Sequence, residues 1–203
     1  MPAEHPARKR LIESASRLFH LRGYSAVGVQ ELCELANVRR GSFYYHFPSK
    51  EALALAVLEH EEKALADKVF DPAFADDDTP PLERFAAFLR LLHSYQLGRA
   101  KRQEGFVGGC PIANLGHELA SQSTSVRVAA DQILERLSER FKSALSDARA
   151  AGDLPGDIDV DRTALRVRMY TQGLQEVAKL RNDASVILDA GIDIHGLCVQ
   201  THH

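Results

Sequence analysis

The sequence predicts an all-α fold of about nine helices. Three observations carry that prediction. Apolar residues recur at helical spacing in nearly every segment, as in Leu11, Ile12, Ala15, Leu18 and Phe19. No run alternates apolar and polar residues as a half-buried strand does. The interruptions are short and rich in Gly, Pro or Asp, as loops between helices are.

The first helix carries the Leu11–Phe19 stripe and is expected to end on Gly23 as its C-terminal cap. A short second helix follows over 29–35. Ala36-Asn37-Val38 is a tight turn, and Asn tolerates the positive φ such a turn needs. A short third helix covers about 40–46. Pro48-Ser49-Lys50-Glu51 opens a fourth helix, with Ser49 as N-cap, that reaches about Phe70. Leu32, Leu35, Val38, Phe43 and Phe47 are expected to form the apolar core of this N-terminal unit.

Residues 71–81 are acidic, contain Pro72, Pro80 and Pro81, and read as a loop. Leu82, Phe85, Ala86, Leu89 and Leu92 mark a fifth helix. Residues 103–111 form a glycine-rich break, and a short helix follows over about 112–120. Val126, Ala130, Ile133, Leu134, Leu137, Phe141, Ala144 and Leu145 mark a long helix that ends in the Gly152-Asp153-Leu154-Pro155-Gly156 stretch. Two last helices span about 160–181 and 184–198. The boundary between the two parts falls near Lys50, giving domains 1–50 and 51–203, with the fourth helix shared.

Composition excludes several classes. The chain has 203 residues, of which 45% are apolar and 26% charged, an ordinary globular balance. The longest apolar run, 52–58, is far short of the roughly 20 residues of a membrane span. No signal peptide is visible, and three widely spaced cysteines make neither a disulfide framework nor a zinc pattern. A cytoplasmic protein with no membrane partner and no cofactor is expected. The net charge of −3 hides a division. Residues 1–50 hold eight Lys/Arg against four Asp/Glu, a balance of +4, which leaves −7 on the remainder. Such asymmetry points to a polyanion at one end of the molecule only. A solvated basic face is the alternative.

Two short helices joined by a tight turn behind a longer supporting helix make a helix-turn-helix unit, whose second short helix enters the DNA major groove. Here that helix carries Arg39, Arg40, Ser42, Tyr44, Tyr45 and His46. Arginine reads guanine edges bidentately or clamps phosphate, and the Tyr44 hydroxyl can reach phosphate. Lys50 sits at a helix N-terminus, which itself attracts phosphate.

The stretch RLFHLRGYSAVGVQELCELANVRRGSFYYHFPSKEALALAV resembles the N-terminal domain of TetR-family transcriptional regulators. The Arg-Gly-Tyr closing the first helix, the turn and GSFYYHFPSKEAL carry the likeness. The resemblance implies an all-α dimer with an N-terminal DNA-binding domain and a C-terminal ligand-binding and dimerisation domain. It implies that Tyr44, His46 and Lys50 lie at or near the backbone of double-stranded operator DNA. Arg39, Arg40, Ser42 and Tyr45 are then available to the groove. The chain departs from the family pattern where Val27-Gly28 replaces Thr-Ser, Asn37 the turn Gly, Arg39 a Ser and Cys33 a small Ala. A hydroxyl contact to phosphate is thereby missing at the start of the second helix.

A dimer surface is expected on the last two helices, with Leu165, Met169, Gly173, Leu174, Val177 and Leu180 on one and Val186, Ile187, Ala190, Ile194 and Leu197 on the other. Gly173 and Gly191 would allow close approach. Intramolecular core is the alternative. The stretch EGFVGGCPIANLGHELA places Cys110 after two glycines and before Pro111, which is favoured at the first turn of a helix. A thiol at a helix N-terminus has its thiolate stabilised, more so beside a cation such as Lys179 or Arg181. The stretch resembles a NemR-like subgroup of the family that carries a Gly-Cys here and responds to electrophiles or oxidants. An inert buried cysteine is the alternative. Cys33 reads as an inert core residue, and Cys198 as packing or a cross-link between subunits.

His117 is expected to line or cap an effector cavity rather than bind metal with Glu118 or His93. Phe85, Phe88, Leu92, Tyr95, Phe106, Leu115, Phe141, Met169 and Tyr170 would surround that cavity. Tyr95, Tyr170 and His117 would be its polar handles. The expected function is a dimeric repressor released by a small molecule or by cysteine modification. An α-helical thiol-dependent redox enzyme using Cys110 is the alternative from another class.

Overall fold

The computed structural model describes residues 5–75, 78–189, 191 and 197. Among the described residues the regular structure is helical throughout. The helices are α1 (Pro6–Arg22), α2 (Val29–Leu35), α3 (Arg40–His46), α4 (Lys50–Leu65), α5 (Asp71–Phe74), α6 (Glu83–Arg102), α7 (Pro111–Glu118), α8 (Thr124–Ala151), α9 (Val160–Arg181) and α10 (Val186–Asp189). A π-helical turn, Ala66–Phe70, joins α4 to α5.

Two compact units emerge, and neither is a single stretch of chain. One comprises 1–63 with 111–133, the other 64–110 with 134–203. The first unit thus holds the N-terminal helices together with α7 and the start of α8, which a single cut after Lys50 does not anticipate.

Local chemistry sets the first unit's helices. His5 caps α1 by accepting from the Ala7 N–H, and Pro6 occupies the first turn, where its missing N–H costs nothing. Gly23 ends α1 with φ 84°, a conformation that glycine adopts freely. Asn37 takes φ 50° in the turn, and the Val38 N–H closes it on the Cys33 carbonyl at 2.9 Å. Arg10 Nε donates to the Ala36 carbonyl at 2.9 Å and ties the turn to α1. Ser49 caps α4 by accepting from the Ala52 N–H at 3.0 Å. Gly28, as expected from the lost hydroxyl, caps α2 without a side-chain bond. Leu11, Leu32, Phe43 and Leu53 are fully buried between these helices. Leu35 is not core: it is 47% exposed, because it lies on the outer side of a two-turn helix whose inner side is taken by Leu32 and Cys33.

The second unit is built around five phenylalanines. Phe141 has ring centroids within 5.1–5.8 Å of Phe88, Phe70, Phe74 and Phe85. That cluster explains a departure from expectation: Asp71–Phe74 is helical rather than loop. Pro72 is tolerated in a first turn, and burying Phe74 against Phe85 and Phe88 rewards continuing the helix. Buried Arg84 is paired with Asp147 at 3.1 Å. α9 is capped by Asp159, which accepts from the Arg162 N–H, and ends on Asn182 at φ 51°.

The dimer stripe on α9 is mostly outward-facing. Leu165, Met169, Val177 and Leu180 are exposed, as is Gly173. Leu174 is buried and leaves the stripe, since one step from Gly173 turns a side chain by about 100°. Val186 and Ile187 of α10 are also buried. A Cβ at Gly191 would lie 2.7 Å from Leu89 Cδ1, so this glycine admits a neighbour of its own chain rather than a second subunit. Ala190, Ile194, Cys198, His202 and His203 lie outside the described residues.

Candidate DNA-binding surface and effector cavity

The helix-turn-helix geometry presents α3 outward through the burial of one side only. Phe43 and Phe47 anchor its inner side. Arg39, Arg40, Tyr44 and Tyr45 stand on the outer side, Tyr45 at 82% exposure. The Arg40 guanidinium lies 5.9 Å from the Tyr44 ring centroid, which pre-orients both. Ser42 and His46 are half-buried at the edges of this face. The His46 ring packs against Tyr45 at 4.9 Å and against His5 at 4.7 Å. Partial burial and the facing charges of His5 and Arg8 hold His46 below the ordinary histidine value.

Lys50 is engaged inside its own unit. Its Nζ donates to the Tyr24 carbonyl at 2.6 Å and lies 3.9 Å from the Tyr24 ring centroid. Burial lowers its pKa, opposed by the charge of Glu118. Glu118, weighed from the sequence only as a metal partner of His117, has a role that sequence reasoning missed. It closes α7, and its carboxylate accepts from the backbone N–H groups of Tyr24 at 2.7 Å and Ser25 at 2.8 Å. Burial alone would raise this carboxyl. The N–H donors of Ser25 and Tyr24, the Ser25 hydroxyl and the Lys50 charge outweigh that and hold it below its ordinary value. A partnership across more than ninety residues leaves no local sequence signal.

In the second unit, Cys110 lines a cavity of about 20 Å³. Leu65, Phe70, Phe88, Leu92 and Phe141 form its apolar side, and Arg168, Thr171, Gln172 and Gln175 its polar side. The volume suits one water molecule, not a drug-sized ligand. Cys110 is 6% exposed, and the Gln172 amide donates to its Sγ at 3.7 Å. A Cβ at Gly109 would meet the Gln175 carbonyl at 3.2 Å and Lys179 Cδ at 3.4 Å, so the Lys179 stem packs beside the Gly-Cys pair. Neither Cys110 nor Cys33 is in a disulfide. Burial pushes the Cys33 thiol up, which suits an unreactive core residue.

Several expected lining residues are elsewhere. His117 is exposed on α7, in the other unit, because the buried side of that helix is filled by Ile112, Leu115 and Gly116. Tyr95 is buried but does not line the cavity; its hydroxyl accepts from Arg99 at 3.1 Å. Phe106 and Tyr170 are half-buried outside the lining set, and Met169 faces outward. Leu115 belongs to the first unit. Among the described residues no cluster of His, Cys, Asp and Glu is arranged to hold a metal ion, and no helix is long and apolar enough to cross a membrane.

Comparison with known proteins agrees with this architecture. Residues 11–57 match bacterial regulatory proteins of the tetR family, and residues 81–190 match the tetracyclin repressor-like C-terminal domain. The transcriptional regulator AcuR of Cereibacter sphaeroides is 34% identical over 158 residues, which cover 78% of this chain and 69% of AcuR. The repressor NemR of Escherichia coli is 27% identical over 146 residues, 72% of this chain and 70% of NemR. A crystal structure of a TetR regulatory protein from Rhodobacter sphaeroides superposes with a TM-score of 0.84 at 30% identity, covering 95% of this chain and 99% of that one. Proteins of this kind are DNA-binding regulators, not enzymes, so the thiol-enzyme alternative has no support. The chain belongs to the TetR family of helix-turn-helix transcriptional regulators.

Proposed function

We propose that this regulator is a dimeric repressor whose outward-facing α3 reads operator DNA and whose body releases that DNA on meeting a small effector. The observation that carries the DNA-binding half is the exposed set Arg39, Arg40, Tyr44 and Tyr45 on one side of a helix anchored by Phe43. Arg39, Arg40, Ser42 and Tyr45 address the groove, and Tyr44, His46 and Lys50 the flanking phosphates. Residues 1–50 then act as the DNA-binding domain and 51–203 as the sensing and dimerising domain, in the bacterial cytoplasm where the operator lies. Dimerisation through α9 supplies the second half-site contact.

For the effector, the small cavity is informative. A preformed pocket of about 20 Å³ does not admit a conventional ligand. At this cavity an effector is then either a molecule that opens it or a reagent that modifies Cys110 and swells it, while a wider pocket of about 320 Å³ lies among Glu135, Lys142, Asp161 and Arg168. A bulky adduct on a buried thiol strains the packing, and strain of that kind biases a two-state body. Lys179, beside Gly109, supplies a cation near the thiol's segment. Tyr95, Phe106, Tyr170 and His117 have no place in this cavity as it stands and would matter only in an opened state.

The test is a salt titration of binding to duplex DNA from the region upstream of the protein's own gene. Wild type binds with a steep salt dependence, and Arg39→Ala/Arg40→Ala loses both affinity and slope. Equal binding and equal slope in the double variant would overturn the assignment of α3.

A further inference from the structure

We propose that Glu118 is a positioning residue for DNA binding, a carboxylate that sets the helix-turn-helix by gripping the backbone between α1 and α2. Three independent features of the first unit converge on this grip. The Glu118 oxygens accept from two successive N–H groups, Tyr24 at 2.7 Å and Ser25 at 2.8 Å. Bonds of this kind to an ionised acceptor are among the stronger hydrogen bonds in proteins. The site of the grip is tight for a side chain, which the carboxylate could admit only by giving way. A Cβ at Gly23 would stand 3.1 Å from Glu118 Oε2, so the glycine serves the carboxylate's approach as well as the φ of 84°. The same peptide is held from the other side by Lys50, which donates to the Tyr24 carbonyl at 2.6 Å and whose charge acts on Glu118.

The consequence for DNA follows from connectivity. Tyr24 and Ser25 lie in the loop that leads into α2, and the turn that orients α3 follows α2 directly. A loop held at both its N–H and its C=O groups gives α2 and α3 one orientation. A loop without Glu118 leaves the unit folded, because Leu11, Leu32 and Phe43 still form its core, but loosens the angle at which α3 is offered. Glu118 also ends the helix that begins at Pro111, the residue after Cys110. Through the effector reading proposed above, on which this last step alone rests, the grip is where a displaced α7 is felt by the reading head.

The experiment uses a duplex selected by the full-length wild-type protein from a randomised pool. Glu118→Ala is expected to weaken binding to that duplex roughly tenfold, with binding to an unselected duplex and helical content unchanged. Glu118→Gln, which keeps an acceptor oxygen but not the charge, falls between. Amide exchange at Tyr24 and Ser25 accelerates in Glu118→Ala. Wild-type affinity in Glu118→Ala, or unchanged protection of those two amides, overturns the proposal. If Glu118→Ala does not fold, Glu118→Gln with unchanged selected-duplex affinity overturns it instead. Failure of the wild-type protein to select any duplex would instead sink the DNA-binding reading itself.

Discussion

The ammonium of Lys50 lies 3.9 Å from the centroid of the Tyr24 ring while donating to the carbonyl of the same residue at 2.6 Å. One side chain thus holds both the ring and the backbone of the residue that follows the α1 cap. Two roles compete for this ammonium, since a DNA phosphate would draw on the same charge. Lys50→Met keeps the stem and removes the charge. It is expected to destabilise the free protein by about 2–4 kcal/mol, the sum of a cation–π contact and one charged hydrogen bond. It also lowers DNA affinity, and the salt slope decides the role. A slope reduced by about one phosphate equivalent assigns Lys50 to DNA. An unchanged slope assigns it to the loop.

Glu118 makes stability depend on acidity in a definite direction. Its carboxyl is held below the ordinary value of 4.5, so the folded chain binds fewer protons there than the unfolded chain. A depressed carboxylate stabilises above the unfolded value and loses that contribution as pH falls through the folded one. The stability gap between wild type and Glu118→Gln should therefore be constant above pH 5 and narrow progressively below about pH 4.5. Urea titrations at a series of pH values measure it. A gap that stays level down to acid unfolding would remove Glu118 from the list of charged anchors.

Whether a feature was legible in the sequence followed the range of the interaction behind it. The caps Gly23 and Ser49 and the positive-φ Asn37 are dictated within four residues and stand as expected. The outward stripe of α9 was also legible, apart from Leu174, because a helix repeats its faces at a known spacing. What escaped depends on partners far along the chain. The helical turn at Asp71–Phe74 exists because Phe74 meets Phe85, Phe88 and Phe141, and nothing in an acidic, proline-bearing stretch announces that. His117 was expected in the cavity by its distance from Cys110 along one helix. Yet α7 turns Ile112 and Leu115 inward and leaves His117 outside.

The phenylalanine cluster carries much of the second unit. Phe141 is 2% exposed and touches four other rings. Phe141→Ala removes that hub and should cost about 3–5 kcal/mol, lowering the melting temperature by on the order of 10 °C. The same change enlarges the cavity beside Cys110, which Phe141 lines. Faster alkylation of Cys110 should therefore accompany the lower melting temperature. Thermal denaturation and peptide mapping of a timed labelling reaction check both halves.

The exposed stripe of α9 makes a prediction about assembly. Leu165, Met169 and Leu180 are 48, 59 and 77% exposed, and a Cβ at Gly173 between them meets nothing within 4 Å. Met169→Glu puts a charge in the middle of that stripe without touching the core. Sedimentation equilibrium should show wild type as a dimer and the variant shifted to monomer, with circular dichroism unchanged. The monomer should bind a single half-site weakly and the full operator no better. A variant that stays dimeric would move the interface off α9.

Cys110 and Cys33 are both buried, yet their surroundings differ enough to separate them chemically. Cys33 is buried in the first unit, and burial, opposed by the Arg40 charge, raises its pKa, which disfavours the reactive thiolate. Cys110 borders a cavity and receives the Gln172 amide at 3.7 Å. With N-ethylmaleimide as probe, the adduct is far larger than the roughly 20 Å³ available, so alkylation of Cys110 must displace its neighbours. The expected outcome is selective labelling of Cys110 over Cys33 and parallel loss of operator binding. Cys110→Ser should bind operator as wild type does and keep it in the presence of the reagent. Cys33→Ser should still release it. Release from the Cys110→Ser variant at the wild-type rate would show that the thiol beside the cavity is packing and not the point at which the reagent acts.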